Sequence, residues 1–244
     1  MAKHAYSTMI FVNLPPLSAV KKIADMRLPI EVSYDNFVVV GGASVEDRYI
    51  EEIKRVSADL RGYVRAVHLP YDNMYPQTAL SDFGFKRFSK WLDMAEKLEA
   101  EVAVVHTVKV EEGYLSALEM NIEFVSRLAR IAADKGVVLA VENRLEKNLF
   151  GSKPRDLVAL VEGVGEKIGV CLDVGHANIH RNLGEFLSAL GGRIIAMHIH
   201  DNDGEKDLHQ PPYTGTVDWR AIENWVAKKN SVLLIFEVVC RDSL

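Results

Sequence analysis

Short apolar runs alternate with longer amphipathic stretches along this chain. Eight runs rich in Val, Ile, Leu and Ala predict β-strands at Thr8–Val12, Ile30–Val32, Tyr63–His68, Val102–His106, Val137–Glu142, Ile168–Asp173, Ile194–His200 and Val232–Glu237. The runs are nearly continuous in apolar residues, as expected of parallel strands that are covered on both faces. The pattern therefore favours a parallel sheet.

Segments with helical periodicity lie between these strands. Helices are predicted at Leu17–Met26, Ser44–Leu60, Phe83–Ala100, Tyr114–Lys135, Pro154–Val161, Leu183–Leu190 and Trp219–Lys229, with Ser44 as a candidate N-cap. Successive strands end roughly 30 residues apart, which is the length of a βαβ unit.

Eight strand–helix units in 244 residues predict an α/β fold with one domain over residues 1–244, a (β/α)8 TIM barrel. The chain ends soon after the last strand, so we expect a barrel that lacks the eighth helix. A doubly wound sheet is the alternative, but no G-x-G-x-x-G turn follows the first strand.

Composition narrows the class of protein. Hydrophobic residues make up 48% and charged residues 26%, values typical of soluble globular proteins. The net charge of −5 gives no overall basic footprint for nucleic acid. The two cysteines, Cys171 and Cys240, lie in apolar runs, so neither a disulfide framework nor a cysteine zinc site is expected. Apolar runs are far shorter than the roughly 20 residues that span a bilayer, and we expect a cytoplasmic protein without membrane contact.

Six of the eight predicted strands end in a potential metal ligand. These residues are His68, His106, Glu142, Asp173, His198 with His200, and Glu237. Taken singly, each is explained by a hydrogen bond or an ion pair at the rim of a barrel. Together they predict a divalent cation, because parallel barrel strands deliver their last residues to one rim and crowded carboxylates repel one another.

Two further patterns extend this set of ligands. His176 follows Asp173 by three residues, with Gly175 permitting a tight turn, and Asp207 precedes His209 in the segment after the seventh strand. Imidazole and carboxylate donors suit Zn²⁺ or Mn²⁺ best, and Co²⁺ or Fe²⁺ also fit. Lys109, Arg144 and Lys153 follow strands four and five. We expect them to be solvated surface residues, with contact to a substrate phosphate as the alternative.

The order of these motifs resembles the xylose isomerase-like TIM-barrel superfamily, which contains sugar isomerases and epimerases as well as endonuclease IV. The matching segments are His68-Leu-Pro-Tyr71, Val105-His106, Val141-Glu142-Asn143, Cys171-Leu-Asp173-Val-Gly-His176, Met197-His198-Ile-His200-Asp, Asp207-Leu-His209 and Phe236-Glu237.

The resemblance implies two groups of ligand positions. As in epimerase-type members, a single divalent ion would be held by Glu142, Asp173, His198 and Glu237. The remaining positions match the additional ligands of the multinuclear zinc site of endonuclease IV, and they are His68, His106, His176, Asp207 and His209. The segment Asp-Val-Gly-His-Ala-Asn around Asp173 is closer to the isomerase and epimerase branch.

The leading hypothesis is a metal-dependent isomerase or epimerase of a carbohydrate substrate, namely a sugar, a sugar phosphate or a related polyol ketone. The metal would polarise the carbonyl and stabilise an enediolate, while Glu142 and Glu237 remove and return the proton. His176 and Asn143 would orient hydroxyl groups.

Two alternatives stay open. One is an endonuclease IV-like zinc phosphodiesterase acting at abasic sites, although the acidic segments Glu111–Glu112 and Asp201–Asp207 disfavour nucleic acid. The other is a non-catalytic barrel that binds a small molecule.

The missing eighth helix would expose apolar side chains of the last strand, which predicts either a homo-oligomer or a chain that extends beyond residue 244.

Overall fold

The computed structural model of the protein describes residues 3–111, 113–229 and 231–239. Its eight strands are β1 (Lys3–Ser7), β2 (Ile30–Val32), β3 (Val64–His68), β4 (Val102–His106), β5 (Val138–Glu142), β6 (Ile168–Asp173), β7 (Ile194–Ile199) and β8 (Leu233–Phe236). Each strand pairs with the next in chain order, and β8 pairs in parallel with β1 to close the sheet. The predicted TIM barrel is confirmed.

Helices cover the outside of the barrel and follow most of the strands. They are α1 (Pro16–Asp25), α2 (Asp35–Val39), α3 (Glu46–Arg55), α4 (Pro76–Ala79), α5 (Asp82–Lys97), α6 (Tyr114–Asp134), α7 (Pro154–Val164), α8 (Val174–Ile179), α9 (Leu183–Leu190) and α10 (Trp219–Val226). The short helices α2, α4 and α8 were not predicted. None of the described helices is long and apolar enough to cross a membrane.

The predicted first strand at Thr8–Val12 is wrong. Residues Thr8–Phe11 form a 3-10 turn, in which the Ser7 hydroxyl accepts the amide hydrogen of Met9 at 3.4 Å. The strand lies just before this turn, with Lys3 opposite Leu233 in the register of β1 and β8. An apolar run therefore marked the neighbourhood of the strand, but a local hydroxyl contact ends the strand before the run begins.

The predicted start of the helix at Ser44–Leu60, which corresponds to α3, is also wrong. Ser44 does not cap it, because its hydroxyl donates a hydrogen bond to the carbonyl of Gly41 at 2.8 Å. Gly41 and Gly42 have φ angles of 130° and 58°, which turn the chain before Glu46 begins α3.

Side-chain alternation along the strands positions the site. The barrel interior is filled by small and branched apolar residues, among them Ala66, Val104, Ala140, Cys171, Ala196 and Ile235. Two positions further along the same strands, the same face carries His68, His106, Glu142, Asp173, His198 and Glu237. The period of two thus places six polar side chains at one end of a packed interior.

The last strand closes against the first. Tyr6 of β1 and Phe236 of β8 stack with ring centroids 5.3 Å apart, and both rings are half-buried. No helix follows β8 in the part of the chain that the structure describes, which ends at Val239. Cys240 lies outside the described residues.

Candidate metal centre

His198 of β7 faces three carboxylates that come from three other strands. Its Nδ1 atom lies 3.2 Å from Glu142 Oε1, 3.6 Å from Glu237 Oε2 and 3.9 Å from Asp173 Oδ2. All four side chains are buried, and His198 Nδ1 has no hydrogen-bond partner among the described residues. A tetrahedral ion with bonds of 2.0–2.2 Å separates its ligands by about 3.3–3.6 Å. The distances from His198 Nδ1 to the three carboxylates, 3.2–3.9 Å, lie around this range, and we call the four residues the inner group.

Glu142 also faces two further histidines through its second oxygen. His68 Nε2 and His106 Nε2 lie 3.0 and 2.9 Å from Glu142 Oε2. His106 and Glu142 are paired directly across β4 and β5, which explains their proximity. One carboxylate is thus shared between the inner group and a histidine pair.

A third group lies at the outer end of the barrel. His176 of α8 and His209 both place Nε2 near Asp207 Oδ2, at 3.4 and 3.0 Å. Asp207 Oδ1 is buried and has no hydrogen-bond partner among the described residues. Helix α8 begins directly after β6 because the Asp173 carboxylate accepts the amide hydrogen of His176 at 2.6 Å. We call His176, Asp207 and His209 the outer group.

Four of these histidines have one ring nitrogen occupied by an oxygen acceptor. The acceptors are the carbonyls of Leu69 for His68 (2.9 Å), of Asn143 for His176 (2.9 Å) and of Glu237 for His209 (2.8 Å), and the Glu31 carboxylate for His198 (3.2 Å). A carbonyl only accepts, so the nitrogen that faces it carries the proton. The other nitrogen of each ring points at a carboxylate. A proton or a metal ion must lie between this second nitrogen and the carboxylate oxygen, because both have only lone pairs to offer. Histidine ligands of metals are oriented in the same way, by an acceptor at the other ring nitrogen.

The two glutamates of the inner group differ in acidity. Burial opposes the charged form of Glu142, but His106 and His198 hold its pKa well below the ordinary value. Burial raises the pKa of Glu237 to about 8, and the nearby carboxylates of Glu31 and Glu142 add to this effect. Environments that separate the pKa values of two carboxyl groups are typical of acid–base pairs.

A cavity of about 360 Å³ opens onto the three groups. Besides candidate ligands, its lining includes Asp35, Tyr71, Lys109, Arg144 and Glu146. This volume is at the small end of the range for small-molecule sites, about 300–1,000 Å³. The cavity therefore suits a ligand the size of a monosaccharide.

Arg144 corrects one of the sequence-based expectations. It is buried, and its guanidinium donates to the Thr107 carbonyl at 2.7 Å and to both Glu146 oxygens at 2.9 and 3.0 Å. Lys109 is half-buried and also pairs with Glu146, at 3.0 Å. Lys153 is exposed, as predicted.

Comparison with known proteins agrees with this architecture. Residues 30–242 match the model of a family described as Xylose isomerase-like TIM barrel. The chain belongs to this family. The resemblance inferred from the motifs is thereby confirmed.

Three proteins are similar to this chain in sequence or in structure. Uncharacterized protein MJ1311 of Methanocaldococcus jannaschii is 26% identical over 231 residues, which cover 89% of this chain and 76% of that protein. A D-tagatose 3-epimerase-like protein superposes with a TM-score of 0.79 at 23% identity, covering 97% of this chain and 91% of that one. The TTHB071 protein of Thermus thermophilus, soaked with ZnCl2, has a TM-score of 0.70 at 23% identity, with the same coverage of both chains. The two structural likenesses show a shared fold.

In this xylose isomerase-like barrel the nine predicted ligand residues lie together at one end. Asp173 and His198 are fully buried, whereas His68, His106, Glu142, His176, Asp207, His209 and Glu237 line the cavity. Asn143 differs from expectation. Its side chain donates to the Asp173 carbonyl at 3.0 Å and accepts the Asp173 amide hydrogen at 2.7 Å. Asn143 therefore fixes Asp173 instead of facing a substrate hydroxyl.

The sequence-based list of site residues omitted Glu31. This glutamate is fully buried on β2, its Oε1 contacts His198 Nε2, and its Oε2 has no hydrogen-bond partner among the described residues. In the sequence, Glu31 could have been recognised as a single acidic residue inside the apolar strand Ile30–Val32. His200 was named only as a potential ligand beside His198 and was left out of both groups of ligand positions; its Nε2 contacts Asp173 Oδ2 at 3.0 Å.

Gly175 is needed for space and not for a turn. A Cβ atom built at this position would lie 2.0 Å from Cε1 of His200. Gly175 therefore lets His200 pack beside Asp173.

Proposed function

We propose that the protein is a divalent-metal-dependent isomerase or epimerase of a sugar or related polyol ketone. The observation that carries this proposal is the fully buried Nδ1 of His198, which has no hydrogen-bond partner among the described residues and faces the carboxylates of Glu142, Asp173 and Glu237 beneath a small cavity. Likeness in fold to a D-tagatose 3-epimerase-like protein supports it. The cavity volume adds support, because it suits a single sugar.

The inner group would hold the ion. Three carboxylates and one imidazole suit Zn²⁺ or Mn²⁺, and Co²⁺ or Fe²⁺ also fit. When bound there, a divalent ion supplies Lewis acidity, which polarises a substrate carbonyl and makes the adjacent C–H more acidic. Zinc is supported further by the likeness to the TTHB071 protein, whose crystals were soaked with ZnCl2.

Proton transfer is assigned to the two glutamates that line the cavity. Glu142 ends β5 and Glu237 follows β8, so their carboxylates approach the cavity from different strands of the barrel. One carboxylate removes the proton from the carbon beside the carbonyl, and the other carboxyl group returns a proton to the substrate. His176, which also lines the cavity, is assigned to orient a substrate hydroxyl.

Isotope exchange tests this proposal directly. Metal-loaded protein incubated in D2O with a panel of ketoses should exchange the hydrogen on the carbon beside the carbonyl, as followed by proton NMR. Glu142→Gln and Glu237→Gln should each lower the rate by at least about 10²-fold, the usual contribution of acid–base groups.

Metal content must be measured in the same variants, because both glutamates also belong to the inner group. Asp156→Asn is the matched control, since Asp156 is a buried carboxylate on α7 outside the cavity lining. Metal-loaded wild-type protein that exchanges no ketose of the panel would contradict the proposed reaction.

A zinc phosphodiesterase acting at abasic sites in DNA is the second candidate. The outer group and the pair of His68 and His106 favour it, since a multinuclear centre suits hydrolysis of a phosphodiester. The carboxylates in the cavity lining disfavour it, because they repel a phosphate backbone. Metal-dependent incision of an abasic duplex, lost in His209→Ala, together with the absence of ketose exchange, would favour the nuclease.

A further inference from the structure

One carboxylate pairs with both cationic side chains of the cavity lining. Glu146 accepts two hydrogen bonds from Arg144, at 2.9 and 3.0 Å, and lies 3.0 Å from Lys109 Nζ. A further donor of Arg144 is taken by the carbonyl of Thr107. Burial opposes the charge on Glu146, but Arg144 and Lys109 lower its pKa to about 2, so it stays ionised at neutral pH. Both cations therefore already have a carboxylate partner inside the protein.

Acidic residues predominate in the lining. Among the residues that the structure describes, two Lys or Arg side chains line the cavity against five acidic side chains, which are Asp35, Glu142, Glu146, Asp207 and Glu237. A single divalent ion in the inner group leaves this balance negative when Glu237 is ionised as one of its ligands and the histidines are neutral. A phosphate group, with up to two negative charges, would enter against repulsion and would have to displace Glu146 to reach a cation. An uncharged hydroxyl group meets neither obstacle.

Asp35 and Tyr71 offer fixed hydrogen-bonding groups in the same cavity. The Tyr71 hydroxyl donates to Asp35 Oδ1 at 2.7 Å, and the Ser33 hydroxyl donates to Asp35 Oδ2 at 2.6 Å. The Tyr71 ring stacks on His106 with centroids 5.5 Å apart, which places the pair beside the candidate metal ligands. Each Asp35 oxygen retains a lone pair after these bonds. The Asp35–Tyr71 pair can therefore accept a hydrogen bond from a hydroxyl but repels an anion.

We infer that the site takes an uncharged polyhydroxy ketone and discriminates against its phosphate ester. Glu146 pairs with Lys109 and Arg144, so a phosphate would have to compete with it for these cations. The Asp35–Tyr71 pair binds a substrate hydroxyl. The inference rests on the proposed function and specifies which substrates of that reaction are accepted.

The test compares matched substrates on metal-loaded protein. D-fructose and D-tagatose are each paired with their 6-phosphates, and both deuterium exchange and calorimetric binding are measured. The wild type should favour the free ketoses in kcat/KM and in affinity. Asp35→Asn should raise KM for the free ketoses by about 10-fold, the effect of losing one charge-assisted hydrogen bond.

Glu146→Gln is the decisive variant because it releases both cations. It should raise the affinity and kcat/KM for the 6-phosphates by about 10-fold or more. Glu205→Gln is the matched control. Glu205 is exposed on the segment after β7 and is absent from the cavity lining, so its loss changes the net charge equally without freeing Lys109 or Arg144.

Lys109→Met provides a second test that keeps the pair of Arg144 and Glu146. If Lys109 is occupied by its ion pair with Glu146, this variant should still bind the 6-phosphates more weakly than the free ketoses. A loss of ester binding of about 10-fold in Lys109→Met would instead identify Lys109 as a phosphate ligand and overturn the inference.

The remaining outcomes separate the inference from the proposed function. Preference of the wild type for the 6-phosphates in exchange would overturn the inference and leave the proposed reaction intact. Binding of free ketoses without exchange would overturn the reaction and uphold the selectivity. Failure to bind any compound of either series would overturn both.

Discussion

Replacing Glu31 tests whether a buried carboxylate holds His198 ready for a metal. The Glu31 Oε1 atom lies 3.2 Å from His198 Nε2, so it accepts the proton of that nitrogen and directs Nδ1 at the three carboxylates. Glu31→Leu removes the acceptor. Glu31→Gln keeps an oxygen in reach and should retain most of the function of the glutamate.

The magnitude follows from the strength of this contact. A hydrogen bond to a charged group contributes about 1.5–3 kcal/mol. Loss of the hydrogen-bond partner of a metal-ligating histidine weakens metal binding by about 10–100-fold. Metal-dependent stabilisation of the fold should fall accordingly in Glu31→Leu. At a fixed excess of metal, the stabilisation should drop by about 1.4–2.7 kcal/mol relative to the wild type.

Competition with a chelator for Zn²⁺ and denaturant unfolding with and without the metal measure this effect. The absorption spectrum of bound Co²⁺ would report a change in ligand geometry that a purely structural role does not produce. Asp156→Asn serves as the control, because it should lower the free energy of unfolding by the same amount in both states. Metal affinity of Glu31→Leu equal to that of the wild type would refute the assignment.

Three further predictions concern the ion and its surroundings. Asp173→Ala combined with His198→Ala should remove most of the metal that survives dialysis, measured by elemental analysis, and wild-type protein that binds none after supplementation with Zn²⁺, Mn²⁺ and Co²⁺ would exclude the site. His209→Ala should leave the ion of the inner group in place but lower the total metal content if the outer group holds a second ion, which titration with Zn²⁺ would show. Gly175→Ala should lower the free energy of unfolding by about 1–3 kcal/mol and weaken metal binding, because the added methyl group displaces His200 from Asp173; unfolding and chelator assays equal to the wild type would contradict this.

Strand ends could be predicted because two local regularities coincide. Continuous apolar runs mark parallel strands, and the period of two then fixes which residue of each run points into the barrel. Glu142 and Asp173 were found in this way without any knowledge of their partners. The register of β6 and β7 adds only that Asp173 lies opposite His198.

Other features depend on contacts between distant segments and could not be predicted. Glu31 lies on a strand of three residues, too short for its alternation to show that the acid points inward. Arg144 was expected on the surface, since nothing in its neighbourhood along the chain shows that Thr107 provides a buried acceptor. The Ser7 contact that ends β1 is local, but the apolar residues after it concealed the boundary.

The carbonyl acceptors of the histidine rings bear on how the site tolerates mutation. Three of the four oriented histidines donate to main-chain oxygens, those of Leu69, Asn143 and Glu237. Substituting the side chain of such a residue leaves its carbonyl in place as long as the backbone keeps its path. Sequence drift at Leu69 can therefore proceed without releasing its histidine, whereas His198 depends on one replaceable side chain. In directed evolution of this barrel, we expect a single substitution at position 31 to remove the hydrogen bond that orients His198.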